Sequence, residues 1–500
     1  MKSSEIASTA RATVLGSGVL LLLAACAVGP DYVKPKSELH PFHNVAAVQA
    51  RQATLPAPSL EEWWAGFNDP ALLGIVERAL HQNLDLEIAL ARVQQARGVA
   101  KGASAQLLPT LDLGATASDE HASLDSTFGN VAKDFPGFNR NQREYTFGGT
   151  ASWEIDLFGG LRRGAHAAFD EMQAAQADQA STRVTVAADA ADAYLQIRGY
   201  QARLAVAQNQ IDTDAHLLKL VDSRHELGAA DGREVAEAQA LLRQARSSLT
   251  PLKIALESQL NRLDILMGVQ PGTYAEELSA RAEVPDAPAI RADDPPLEVL
   301  RRRPDVIAAE RRLAASSETI GAAISEYYPK ISLSGVLGFD SMYGDRLFSH
   351  AAFQPQGVGA LRWRLFDFGK VDAEVAQARG TNAEALAAYR KAVLKAAEDV
   401  ENALINLSQT EANAVELREE VEALKRSQEL SQKAYEAGSI ALTDVLDADR
   451  ELLTAQDQLE LNRADAARAA VSVYRALGGG WKVTKDPAQV RARATTDTSG

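Results

Sequence analysis

The sequence predicts a membrane β-barrel continued by a long α-helical barrel. An internally duplicated unit supplies four strands per chain to a trimeric, twelve-stranded barrel. Three observations lead there. The chain aligns with itself at a nearly constant offset, each copy carries two short alternating segments, and each copy then enters a very long helix without proline. Composition agrees. Of 500 residues, 46% are hydrophobic and 24% charged, which excludes both a disordered chain and a multi-span helical membrane protein. A net charge of −15 argues against a nucleic-acid partner.

At the N-terminus, Lys2 and Arg11 precede an apolar run from Val14 to Ala25. That run falls short of the ~20 residues a spanning helix needs and has the order of a secretory signal. It ends in Leu23-Ala24-Ala25-Cys26, which resembles a bacterial lipobox, and Cys26 is the chain's one cysteine. Residues 1–25 therefore read as a signal peptide and Cys26 as the lipidated N-terminus of the mature chain. An ordinary signal with an Ala-x-Ala cut is the alternative. Residue 27 is alanine, not aspartate, which by resemblance to the sorting rule directs the lipoprotein to the outer membrane.

The duplication shows as residue pairs. An offset of 210 matches Trp153 with Trp363, Phe158 with Phe368, Gly228 with Gly438, Leu242 with Leu452 and Gly268 with Gly478. Upstream, an offset of 220 matches Asp85 with Asp305, Arg92 with Arg312 and Pro109 with Pro329. The division that follows is a lipidated N-terminal segment (26–69), a first repeat (70–268), a linker (269–303), a second repeat (304–481) and a polar tail (482–500).

Each repeat reads in the same order. A helix comes first (70–106 and 304–326), with apolar spacing such as Leu84, Ile88 and Ala91, and a proline stops it. Two alternating segments follow, 107–117 with 145–158 and 331–339 with 358–368, joined by polar loops at 119–143 and 341–354. Then come helices of ~90 Å or more, 165–224 and 370–437. A turn at Gly228 or Gly438 reverses the chain. In the first repeat the return helix carries Leu242, Ala245, Leu249, Leu252, Leu256 and Leu263 at coiled-coil spacing, with Pro251 as a point of bending.

Four strands leave two open edges, and a membrane barrel needs at least ~8 strands with every backbone group paired. Several chains must contribute, and three give twelve strands around a lumen. The helix pairs, gathered by the same symmetry, form a tube. The predicted object is a duct.

The chain resembles the TolC-like outer-membrane efflux proteins, specifically the NodT-type lipoproteins that serve resistance-nodulation-division pumps. The matching residues are Cys26-Ala27-Val28-Gly29-Pro30-Asp31-Tyr32, Trp63-Trp64 with Phe67-Asn68-Asp69-Pro70, and Arg302-Arg303-Pro304-Asp305-Val306. Further matches are Thr443-Asp444-Val445-Leu446-Asp447-Ala448 and Tyr474-Arg475-Ala476-Leu477-Gly478-Gly479-Gly480-Trp481. The resemblance implies a homotrimer with an equatorial belt containing the linker, set in outer-membrane lipid and reaching into the periplasm. It also implies a periplasmic adaptor and an inner-membrane transporter as partners. Drugs or other small molecules would be the cargo. No cofactor is implied beyond the lipid on Cys26, and no catalysis.

By the same resemblance Asp444 and Asp447 hold the places of acidic gate rings, and the 210 offset puts Glu234 and Glu237 in the equivalent places. Carboxylate rings attract cations and resist tight closure. An acidic residue in the first turn of a helix is also favoured by the helix dipole alone. Tyr435 matches a tyrosine of the family's locking network. The family arginine is replaced by Ile440, with Arg233 as the candidate substitute cation. Leu227, Gly228, Ala229, Ala437, Gly438 and Ser439 match the tips that meet the adaptor. Gly228 and Gly438 are equally explained as helix-ending glycines.

Trp153 and Trp363 read either as interfacial residues or as packing where strand meets helix. His40 and His43, the one close histidine pair, read as solvated, and no nucleophile frame such as GxSxG occurs. A type I secretion duct and a tethered coiled-coil scaffold remain alternatives. Amphipathic strands with long polar loops speak against the scaffold.

Overall fold

The computed structural model describes residues 27–36, 40–46, 55–290 and 296–482. The signal peptide, Cys26 and residues 483–500 lie outside the described residues. The elements in order are α1 (Pro70–Gln82), α2 (Leu84–Ala105), β1 (Thr110–His121), α3 (Thr127–Ala132), β2 (Asn141–Ile155), α4 (Gly160–Glu226) and α5 (Gly232–Leu266). They continue as α6 (Pro296–Arg301), α7 (Pro304–Ser325), β3 (Lys330–Ser341), β4 (Phe353–Arg362), α8 (Lys370–Glu436) and α9 (Leu442–Ala476). Helices α4 and α8 share a length of 67 residues, about 100 Å, and their bounds differ by 210 at both ends, as do those of α5 and α9. Helices α2 and α7, and strands β1 and β3, differ by 220 at both ends.

Three expectations are corrected. The helix expected over 70–106 is two helices. Asn83 breaks it, its side-chain oxygen accepting from the amides of Asp85 and Leu86 while its Nδ2 donates to the Leu266 carbonyl. An asparagine satisfying the first amides of a new helix is an N-cap, and that local bond wins over continued helix. Strand β4 runs 353–362, five residues earlier than expected, because Phe353 pairs with Phe339 in the ladder and the chain leaves the sheet after Arg362. The apolar run Leu365, Phe366 and Phe368 that suggested strand lies past its end, with Phe368 at φ 55, incompatible with a strand. Strand β1 likewise starts after Pro109 and reaches His121. Pro251 sits inside α5 without ending it.

The chain forms two compact units that cut across the repeats, each drawing on both. The first holds 94–174 and 310–388 with the N-terminal 27–35. The second holds 36–93, 175–309 and 389–482 among the described residues.

In the first unit the four strands make one antiparallel sheet in the order β1-β2-β3-β4. The register puts Leu113, Gly149, Leu337 and Pro355 in one row and Leu111, Ala151, Gly335 and Gly357 in the next. Since opposed residues share a face, one face carries Leu111, Leu113, Phe147, Trp153, Leu333, Leu337, Phe339, Phe353 and Leu361. The other carries Asp112, Thr116, Thr146, Thr150, Ser152, Ser332, Ser334, Gln354 and Gln356. The Phe348 ring packs on Phe147 and Phe339 at 5.5 Å, and the rest of the apolar face is largely exposed: Leu111 is 77% exposed, Leu113 74%, Leu337 64% and Leu361 65%.

The same unit docks residues 27–32. The Val28 amide donates to the Phe158 carbonyl at 3.1 Å, Arg163 Nη2 reaches Asp31 at 2.7 Å, and the Tyr32 hydroxyl donates to Glu310 at 2.6 Å. Gly29, at φ +96, lies so close to Gly321 that a β-carbon would meet its Cα at 2.5 Å. Only glycine fits that crossing.

In the second unit Trp63 stacks on Tyr474 at 5.4 Å, and both rings are buried. The Gly480 amide donates to the Leu60 carbonyl at 2.7 Å, and Tyr194 donates to Asp69, which also caps α1. Arg303 binds Asp305, Asp399 and the Ala476 carbonyl. The motif residues around Trp63, Arg303 and Tyr474 are thus one buried core. Among the described residues no helix is long and apolar enough to cross a membrane.

Candidate functional site

The two helix-pair turns have one geometry. In the first, Gly228 and Ala229 donate to the carbonyls of His225 and Arg224. In the second, Gly438 and Ser439 donate to Tyr435 and Ala434. Both glycines stand at φ +74, the left-handed helix-ending conformation, with open space around them. Leu227 beside the first is 84% exposed.

The turns differ in what starts the next helix. Asp231 caps α5, accepting from the amides of Arg233 and Glu234, and these bonds hold its carboxyl below the usual carboxylate range. Ala441 stands at the equivalent place before α9 and has no oxygen to offer. Asp444 instead turns back to accept from the Ala441 amide at 3.2 Å, which is half of a capping box. Asp447 lies one turn on, exposed, 3.3 Å from Arg450. Glu237 faces Arg233 at 3.9 Å. The structure thus brings Asp444 and Asp447 to one exposed helix start, each with a local partner.

Tyr435 and Glu234 meet directly: the tyrosine hydroxyl donates to Glu234 at 2.9 Å. Burial pushes the phenol up to about 12, and the hydrogen bond to Glu234 adds to that, so it stays a donor at neutral pH. Arg224 is the cation here. Its guanidinium lies 4.5 Å from the Tyr435 ring centroid, and its Nη1 donates to the Tyr435 carbonyl at 2.9 Å. Arg233, the expected substitute, pairs with Glu237 instead. Ile440 packs against the apolar cluster of Leu217, Val221, Leu241, Tyr435, Val445 and Leu446. Sequence reasoning missed Arg224, whose counterpart at the 210 offset is Ala434. Its place in the last turn before a glycine was the available signal.

Trp153 and Trp363 are placed at the strand–helix junctions. Their indole N–H groups donate to the carbonyls of Leu107 at 2.9 Å and Tyr327 at 3.0 Å, each two residues before the proline that opens the preceding strand. His40 and His43 are exposed. Among the described residues no three metal-binding side chains gather.

An amphipathic sheet with open edges joined to paired 67-residue helices defines a class of outer-membrane channel. The sequence pattern of the outer membrane efflux proteins matches residues 75–269 and 296–479, and the chain belongs to that family. It is 32% identical over 429 residues to the pyoverdine export outer membrane protein OpmQ of Pseudomonas aeruginosa, covering 85% of this chain and 89% of that one. Nodulation protein T of Rhizobium leguminosarum bv. trifolii is 29% identical over 466 residues, covering 92% and 96%. The outer-membrane channel OprN superposes with a TM-score of 0.83 at 31% identity, covering 91% of this chain and all of that one. The protein's place is the outer membrane of a Gram-negative bacterium.

Proposed function

We propose that three copies of this chain close into one twelve-stranded barrel and form the passive exit duct of a tripartite efflux system. The observation that carries this is the sheet of the first unit, apolar on one exposed face and polar on the other, with β1 and β4 each unpaired on one edge. An apolar face has no place in water, and unpaired edges have no place in lipid. Lipid outside, water inside and neighbouring copies at both edges satisfy every group. Strands of 10–15 residues, at ~3.3 Å per residue and tilted ~40°, match the ~25 Å apolar band of such barrels.

Transport energy then comes from an inner-membrane resistance-nodulation-division transporter, through a periplasmic adaptor that meets the turns at Leu227-Gly228-Ala229 and Ala437-Gly438-Ser439. Cys26 carries the lipid anchor. Asp444 and Asp447 ring the narrow end, with Tyr435, Glu234 and Glu237 around them, and the Arg224–Tyr435–Glu234 contact ties the two helix pairs of one chain. The cargo is a small molecule. The name of one relative, a pyoverdine export protein, supports export of a small compound. Single-channel recording on purified protein tests the reading: discrete openings support a duct, and a silent protein at saturating incorporation refutes it.

A further inference from the structure

Two carboxylates are buried between the helix pairs of the second unit. Asp214 on α4 is 1% exposed and Asp449 on α9 is 2% exposed. Gln210, on the same helix, donates to Asp214 Oδ1 at 2.7 Å, while Asp214 Oδ2 is buried with no hydrogen-bond partner. The side-chain amide of Gln428 on α8 lies beside Asp449 and favours its charged form. Helix α5 contributes the buried apolar side chains Leu241, Leu242 and Ala245 to the clusters around this region. Among the described residues no arginine, lysine or histidine pairs with either carboxylate, and Asp449 is the charged group that acts on Asp214. Apolar clusters flank the pair on both sides along the helices, Ile211 with Leu242 and Leu217 with Val445 and Leu446. The repeat does not explain them: their counterparts are Leu424 and Gln239. A packed helical seam gains nothing from two carboxylates with no cation beside them among the described residues, so they ask for a role.

We propose that Asp214 and Asp449 are a proton-operated latch: protonated, they let α4 and α9 pack, and ionised, they repel and loosen that contact. Asp214 lies ten residues, about 15 Å, before Arg224 on α4. Loosening there frees the helix that carries the Arg224–Tyr435 contact. This inference rests on the duct reading for its consequence, the opening of the turn end, but not for the loosening itself. Burial pushes Asp214 up to about 6 and raises Asp449 as well, with the Asp449 charge adding to the rise at Asp214. The sign follows. The packed form holds more protons than an opened, rehydrated form between the ordinary carboxylate range and about 6. Packing is therefore tightest in acid and weakens as pH rises through that interval.

Two measurements on the purified full-length protein test it. In planar bilayers, raising the pH on the turn side from about 5 to about 7.5 should raise open probability ~tenfold in the wild type. Asp214→Asn and the double variant Asp214→Asn/Asp449→Asn, neutral and nearly isosteric, should stay at the low value throughout. In detergent, amide hydrogen exchange at residues 207–221 and 442–452, corrected for the intrinsic rate, should accelerate ~tenfold over the same interval in the wild type alone. Equal pH dependence in wild type and double variant, or none in the wild type, overturns the latch. Absence of channels in every variant overturns the duct reading, and exchange then still decides the latch.

Discussion

Arg224 lies over the ring of Tyr435 with its guanidinium carbon 4.5 Å from the ring centroid, while its Nη1 holds the Tyr435 carbonyl at 2.9 Å. The first residue ends the long helix of one repeat and the second ends that of the other. One side chain thus ties the two helix pairs through a ring and a helix-terminal carbonyl, and Tyr435 extends the tie to Glu234.

Replacing Arg224 by alanine removes a cation–π contact of ~0.5–2 kcal/mol and a charge-assisted hydrogen bond of ~1.5–3 kcal/mol. The expected outcome is a channel with higher resting conductance and greater cell permeability to large antibiotics, with unchanged trimer yield. Tyr435→Phe keeps the ring and loses only the bond to Glu234, so its effect should be the smaller of the two. Equal effects would place the tie at Glu234 instead.

Asp444 and Asp447 are exposed and stand one turn apart at the start of α9. Removing both, as Asp444→Ala with Asp447→Ala, should lower cation selectivity measured by reversal potential in a salt gradient. Asp444→Ala alone also frees the Ala441 amide and should cost the helix start about 0.5–1 kcal/mol. Unchanged selectivity in the double variant would remove these residues from the narrow part of the duct.

Neighbours in β3 separate the two faces of the sheet. Leu337→Arg places a charge on the apolar face and should cost ~2–4 kcal/mol toward the middle of the membrane, read as loss of membrane-inserted protein. Val336→Arg lies on the polar face and should insert normally while changing conductance. The opposite ranking would reverse the assignment of lipid and lumen.

Arg163 is buried between Asp31 and Glu318, at 2.7 and 2.9 Å. Arg163→Met leaves the buried Glu318, among the described residues, with only His166, at 4.0 Å, within ion-pair distance, and should destabilise by ~3–5 kcal/mol. Asp31 is itself 91% exposed, so Asp31→Asn should cost less than about 1 kcal/mol. Thermal unfolding in detergent distinguishes the two.

Much of this was legible in residue order. The duplication survives in the helix bounds because both repeats must reverse at a glycine, Gly228 or Gly438, and because Trp153 and Trp363 close the same junction. The strands were legible in their alternation, but β4 was misplaced: Leu365, Phe366 and Phe368 look like strand until the left-handed backbone at Phe368 is known. The break at Asn83 was hidden in an unbroken helical pattern, since one side chain capping two amides outweighs the pattern. The Arg224–Tyr435 tie and the Asp214–Asp449 pair were illegible for a single reason. Both join one repeat to the other across the bundle, and neither is carried by the 210 offset.

The central claim is that a four-stranded sheet with two open edges is one third of a closed barrel. Native mass spectrometry of the detergent-solubilised, full-length protein tests it most directly. The expected species is three chains, each carrying lipid on Cys26. A lipidated monomer as the sole species would contradict the account.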